Sequence, residues 1–132
     1  MAPRLLVTDP SPVFRRSLRS LLEAEAPEWE IVGEASTASD ALSAARRLEP
    51  DVILLERHLE NRDGLTVLSS LCEEFPDTHV LMISFDWDPA TRQAALERGA
   101  RGVLLKDDAD HLVEALRDVS AGDNPEPGGD RR

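Results

Sequence analysis

Apolar residues in this chain fall in short blocks that alternate between continuous runs and helical spacing, the two periods that separate strand from helix. Leu5-Leu6-Val7 reads as a short buried strand. The turn Asp9-Pro10-Ser11-Pro12 follows, with Ser11 placed to cap a helix and Pro12 at its first position. Phe14, Leu18, Leu21, Leu22 and Ala26 form that helix's stripe, and Pro27 ends it. Glu30 to Ala35 reads as a second strand. Ser39 or Asp40 opens a second helix carrying Ala41, Leu42, Ala45 and Leu48, stopped by Pro50. Asp51 to Leu55 is the most continuous apolar strand, so it is expected at the sheet centre, covered on both faces. A loop from Glu56 to Gly64 leads to a third helix with Leu65, Leu68, Leu71, Cys72 and Phe75. Val80 to Ile83 gives a fourth strand, and Asp88-Pro89 starts a fourth helix that stops at Gly99. Gly102 to Leu105 gives a fifth strand, and a fifth helix from about Asp108 to Ala121 turns Leu112, Val113, Leu116 and Val119 inward.

Five strands thus alternate strictly with five helices over residues 1–121, a (βα)5 pattern. Short connections favour parallel strands with right-handed crossovers. Five units cannot close an eight-stranded barrel, so an open, doubly wound, five-stranded parallel sheet of order 2-1-3-4-5 is expected. Residues 122–132 include two Pro and three Gly but no large apolar residue, and read as a disordered tail or linker.

Composition narrows the function classes. Lys plus Arg is 15 and Asp plus Glu is 26, a formal charge of −11. Such a surface repels phosphate backbones and anionic lipid, so no direct nucleic-acid binding and no membrane contact are expected. The longest apolar run, Val52 to Leu55, falls far short of the roughly 18 residues a span needs. One cysteine, Cys72, excludes an internal disulfide and suits a reducing cytoplasm. His58, His79 and His111 stand at no metal-ligand spacing. Of the 15 basic residues all but one are Arg; the exception, Lys106, marks a position where side-chain shape matters.

In a doubly wound sheet, ligands bind outside the C-terminal strand ends near the order reversal. That rule selects Thr8, Asp9 and Pro10 after the first strand, Glu56 after the third, Ser84 and Phe85 after the fourth, and Lys106 after the fifth. Two carboxylates, a hydroxyl and an ammonium therefore converge on one edge.

With these residues in place, the chain resembles the receiver domain of bacterial two-component response regulators over about residues 4 to 121, a flavodoxin-like fold. Its pattern is similar to regulators that carry a LuxR-type helix-turn-helix after the receiver. The segments that carry the likeness are Arg4 to Arg15, Val32 to Ala35, Pro50 to Glu56, Asp63-Gly64-Leu65 and Gly99 to Asp107. The resemblance implies a nucleophilic aspartate after the third strand and two adjacent acids after the first that help hold Mg²⁺. It also implies a backbone carbonyl two residues past the nucleophile, a Ser or Thr after the fourth strand and a Lys after the fifth.

Carried over residue by residue, Asp9 stands at the first acid, Ser84 keeps the hydroxyl and Lys106 keeps the ammonium. Pro10 stands at the second acid and has no side-chain oxygen, and Glu56 stands at the nucleophile. His58 supplies the carbonyl position, and Phe85 stands where a small residue leaves room for a phosphoryl group. Val103 replaces an aromatic and Glu60 a proline. The expectation is a degenerate phosphorylation pocket of Asp9, Pro10, Glu56, Ser84 and Lys106 with Phe85, His58 and Thr8 at its rim. Glu56 is expected to pair directly with Lys106, and magnesium binding to be weak or absent, with no cofactor and no enzymatic activity.

The remaining candidates concern partners. Trp87, His111, Leu112 and Leu116 are candidate interface residues, with His111 read as exposed and Trp87 divided between partner anchor and local packing. Trp29 is expected as a core lid, Cys72 as a small buried residue and His79 as a surface residue at a strand start. A protein partner, a homodimer or a DNA-binding output domain beyond residue 132 is expected to receive the signal. A flavin site, the other chemistry such sheets support, lacks a Ser/Thr/Gly-rich phosphate loop and any Tyr; an unknown small molecule in the altered pocket, or conventional phosphorylation using non-standard residues, are the further alternatives.

Overall fold

Alternation along the strands decides where each helix lies. The computed structural model describes residues 2–60, 62–123 and 125. Strands β1 (Arg4–Thr8), β2 (Glu30–Ala35), β3 (Val52–Glu56), β6 (His79–Ser84) and β7 (Gly102–Leu105) form one parallel sheet of order β2-β1-β3-β6-β7. This is the expected 2-1-3-4-5 arrangement. Leu5, Val7, Val52, Leu54, Leu81 and Ile83 point to one face, where they pack with Leu18, Leu22, Leu112, Leu116 and Val119. Those partners belong to α1 (Pro12–Glu25) and α5 (Ala109–Ser120). Leu6, Ile53, Leu55, Val80, Met82 and Val103 point to the other face. There they meet α2 (Ala38–Leu48), α3 (Gly64–Glu74) and α4 (Pro89–Glu97). Burial on both sides gives about 1.5–3 kcal/mol for each large aliphatic side chain, before ordering entropy is subtracted.

Helix starts follow the cap chemistry. Ser11, Thr37, Asp63, Asp88 and Asp108 each accept a backbone N–H from the first turn of the helix that follows, and proline stands in the first turn of α1 and α4. The second helix begins at Ala38, one residue before the expected start, because Thr37 rather than Ser39 caps it.

Other differences are local. The stretch expected as a plain loop holds a hairpin of β4 (His58–Leu59) and β5 (Arg62–Asp63), with Leu59 buried under it. Strand β3 runs through Glu56, which pairs in register with Ile83, so the carboxylate sits on a strand end rather than in the loop. Trp29 closes the first core as expected, and Cys72 is half-buried against the second, where burial pushes its thiol pKa up. Gly122, Asp123 and Pro125 of the expected tail are described, and Pro125 packs near Gly102; the rest of that segment lies outside the described residues. No described helix is long and apolar enough to cross a membrane.

Gly64 sets the bend between the hairpin and α3. Its N–H donates to the carbonyl of Arg57 at 2.7 Å, and an added Cβ would lie 2.7 Å from the carbonyl oxygens of both Glu56 and Arg57. Backbone atoms cannot swing aside as a side-chain tip can. Gly64→Ala is therefore expected to destabilise the fold by about 1–3 kcal/mol, read as a lower urea midpoint at unchanged slope.

Candidate functional site

The C-terminal strand ends build a closed cluster from short-range rules. Asp9 leaves β1 with its N–H bonded to the carbonyl of Ala35 at 2.9 Å. Its Oδ1 accepts the N–H of Ser11 at 2.8 Å, and the guanidinium of Arg15 donates to its carbonyl. Arg15 also pairs with Glu34 on β2, so the turn is tied to the neighbouring strand. Hydrogen bonds from Arg19 and then Arg15 outweigh the effect of burial and hold the Glu34 carboxyl below its usual pKa. Glu56 ends β3, and its Oε2 accepts the N–H of His58 at 2.8 Å. Lys106 follows β7, with its N–H bonded to the carbonyl of Ser84 at 2.9 Å.

These three ends meet at one atom. Lys106 Nζ lies 2.7 Å from Asp9 Oδ2 and 2.8 Å from Glu56 Oε1. The side chains of all three are almost wholly buried, 1% exposed for Asp9 and 5–6% for Lys106 and Glu56. Burial alone would depress the lysine pKa. Hydrogen bonds and charge from Asp9 and Glu56 outweigh it and hold the ammonium above its ordinary value. Two aromatic rings close the remaining side, with the Phe14 centroid 4.5 Å and the Phe85 centroid 5.1 Å from Nζ. Two carboxylates against one ammonium leave the cluster one negative charge in excess.

Asp9, Glu56, Lys106 and Phe85 are thus brought together. Ser84 and Thr8 reach the same edge, but their hydroxyl oxygens are buried without a hydrogen-bond partner among the described residues. Pro10 is half-buried, and His58 contributes its backbone N–H while the residue itself is exposed. Phe14, Ser11 and Arg15 were not singled out as site residues in the sequence. Their signal was position, since the first turn of α1 lies directly after the strand end that carries Asp9.

The interface candidates need correction. His111 is buried, not exposed, because it falls with Ala115 and Leu112 on the inner side of α5. Leu116 is fully buried and Leu112 nearly so, both within the α1–α5 core. Trp87 packs against the second core, donates its Nε1–H to the carbonyl of Leu104 at 2.9 Å and lies under the guanidinium of Arg57 at 5.4 Å. His79 starts β6 partly buried, with Nδ1 2.8 Å from Arg101 Nη1, and burial foremost, then the Arg101 charge, lowers its pKa.

An acid pair and a lysine gathered at the C-terminal edge of a 2-1-3-4-5 parallel sheet define a receiver-type signalling module. The chain belongs to the response regulator receiver domain family, whose profile matches residues 5–117. It is 33% identical over 121 residues to the transcriptional regulatory protein LiaR of Bacillus subtilis, covering 91% of this chain and 57% of that protein. It is 33% identical over 120 residues to the nitrate/nitrite response regulator protein NarL of Escherichia coli, covering 90% of this chain and 55% of that protein. The chain therefore spans about half the length of the curated relatives it matches. Among solved structures, the receiver domain of the putative response regulator NarL from Mycobacterium tuberculosis superposes with a TM-score of 0.83 at 34% identity, covering 91% of this chain and 97% of that one. A LuxR-family response regulator from Aurantimonas gives a TM-score of 0.90 at 25% identity, covering 97% and 91%. The protein is a receiver domain similar to those of LuxR- and NarL-type transcriptional regulators.

Removing the shared cation should be costly. Lys106→Met leaves two buried carboxylates facing each other and is expected to lose about 3–5 kcal/mol of unfolding free energy at neutral pH. Because the folded-state lysine pKa is raised, the ammonium's contribution is complete below the ordinary value of about 10.4 and is lost only as pH climbs through the raised one. Urea unfolding across alkaline pH is expected to show that loss in the wild type and not in the variant.

Proposed function

We propose that this receiver transmits its signal by protein–protein contact without aspartyl phosphorylation, the Asp9–Lys106–Glu56 cluster holding the strand ends in one arrangement. The observation that carries the reading is the complete engagement of both carboxylates. Asp9 Oδ1 accepts from Ser11, Glu56 Oε2 from His58, and the two remaining oxygens share Lys106. Magnesium requires a near-octahedral set of oxygens at about 2.0–2.1 Å. Pro10 brings no side-chain oxygen to the place of a second acid, and no group of three or more His, Cys, Asp or Glu is gathered for a metal among the described residues. The residues present do not fit the ion.

Geometry at the reactive position points the same way. Glu56 is longer than aspartate by one C–C bond, about 1.5 Å, and a misplacement of about 1 Å can cost roughly a hundredfold in rate. Here the Glu56 carboxylate is held against Lys106 at 2.8 Å. Since the chain covers about half of its curated relatives, the partner that receives the signal is proposed to be a DNA-binding output segment beyond residue 132 or a separate protein. Any pairing of two copies would use surface other than His111, Leu112 and Leu116, which the fold buries.

Incubation of the 132-residue chain with Mg²⁺ and a small phosphodonor is expected to leave residue 56 unmodified in intact-mass spectra, and beryllofluoride is expected not to bind. Stable, stoichiometric modification at Glu56 would falsify the proposal. Glu56→Asp alone is expected to label at least about a hundredfold less than Glu56→Asp combined with Pro10→Asp. Equal labelling of the two would show that the missing second acid is not what blocks the ion.

A further inference from the structure

The chain does not leave the domain directly at the end of α5. Asp123 N–H donates to the carbonyl of Asp118 at 2.8 Å and Gly122 N–H to that of Val119 at 3.0 Å, with Gly122 at a φ of 89°. This paired closure folds the chain back on the helix end and calls for glycine at its left-handed position. An added Cβ on Gly122 would meet nothing within 4 Å, so the backbone angle alone sets that requirement. The helix end is itself anchored, since Arg117 donates to the carbonyl of Glu25, the last residue of α1, at 2.7 Å.

The returning chain meets a notch in the sheet. Gly102 opens β7, the border strand, and is buried. Glycine weakens a strand, and where it stands in one it marks the close approach of another group. Here that group is the half-buried ring of Pro125. A Cβ on Gly102 would lie 3.3 Å from Pro125 Cγ, 3.5 Å from Pro125 Cβ and 3.3 Å from Cδ2 of Leu81 in the first core. Proline has no N–H for strand pairing, and its fixed φ leaves it less freedom to lose on docking. We propose that residues 122–125 form a strap, closed by the turn at Gly122 and seated on Gly102, so that the ordered domain runs to Pro125 rather than to the end of α5. Four residues span at most about 13–14 Å when extended, and the seated strap withholds that reach from whatever the chain carries after residue 125. The inference is independent of phosphorylation, and phosphodonor labelling and the tests of the strap fail separately.

Magnetic resonance and limited proteolysis of the full 132-residue chain test it. Nuclear Overhauser contacts are expected between the Pro125 ring protons and the α-protons of Gly102. Endoproteinase Asp-N cuts before Asp123, inside the strap, and before Asp130, outside it. Pro125→Ser removes the ring, and Gly102→Ala fills its seat. Each is expected to speed the cut before Asp123 by at least about fivefold, as the open strap becomes more populated, and to leave the cut before Asp130 unchanged. The double variant is expected to be cut no faster than Pro125→Ser alone, because the two changes release one contact. Core amide shifts retained in Pro125→Ser separate release of the strap from unfolding. Absence of the Pro125–Gly102 contacts in the wild type, or a cut before Asp123 that neither variant speeds, would overturn the proposal. So would effects that multiply in the double variant, which would show Gly102 acting through the strand and not through the strap.

Discussion

A lysine ammonium taken out of water must find its compensation inside the protein, and Lys106 finds it in two carboxylates from two other strands. Leaving a buried charge unpaired costs about 3–5 kcal/mol, a large share of a domain's stability, so the three strand ends cannot separate cheaply. The register of the sheet is what makes the pairing feasible. Thr8 lies opposite Leu55, Glu56 opposite Ile83, and Ser84 opposite Leu105, so the residues just past each end arrive at one height. Packing on both faces fixes that register, because a slip of one residue would turn each strand's apolar set toward the wrong helices.

The cluster is closed on itself by short contacts. Each carboxylate oxygen has a hydrogen-bond donor or the Lys106 ammonium beside it, and the two aromatic rings lie over that ammonium. Three buried atoms of this edge, the hydroxyls of Thr8 and Ser84 and Oδ2 of Asp9, have no hydrogen bond among the described residues, and Asp9 Oδ2 is held by its ion pair with Lys106 alone. Under the proposed reading, the nucleophile's place holds the longer Glu56 and the second acid's place holds Pro10.

Most of the fold was legible because the elements carry their own punctuation. Ser11-Pro12 and Asp88-Pro89 announce helix starts, Gly99 with a φ of 115° marks a stop, and Val52 to Leu55 could only be a central strand. The small hairpin at His58–Leu59 and Arg62–Asp63 was hidden because two-residue strands have no period to detect. The convergence of Glu56 and Lys106 on one edge was legible from strand-end positions, and their direct pairing from the family resemblance that places both in one pocket. The second partner, Asp9, was not, since at that level it stood as a metal ligand rather than a counter-ion. Phe14 was read as core because its spacing fits the helix stripe, yet its ring also lies against Lys106. His111 misled for the opposite reason: a polar residue in the first turn suggested solvent, but one step before Leu112 places it on the inner side of α5.

Trp87 offers a last consequence. Strand β7 borders the sheet with β6 as its single neighbour, and such a border exposes backbone groups that can recruit a strand from another molecule. The indole N–H occupies the carbonyl of Leu104, and Arg57 lies against the ring's face. The side chain therefore covers one backbone acceptor of that border and so narrows the stretch open to strand addition.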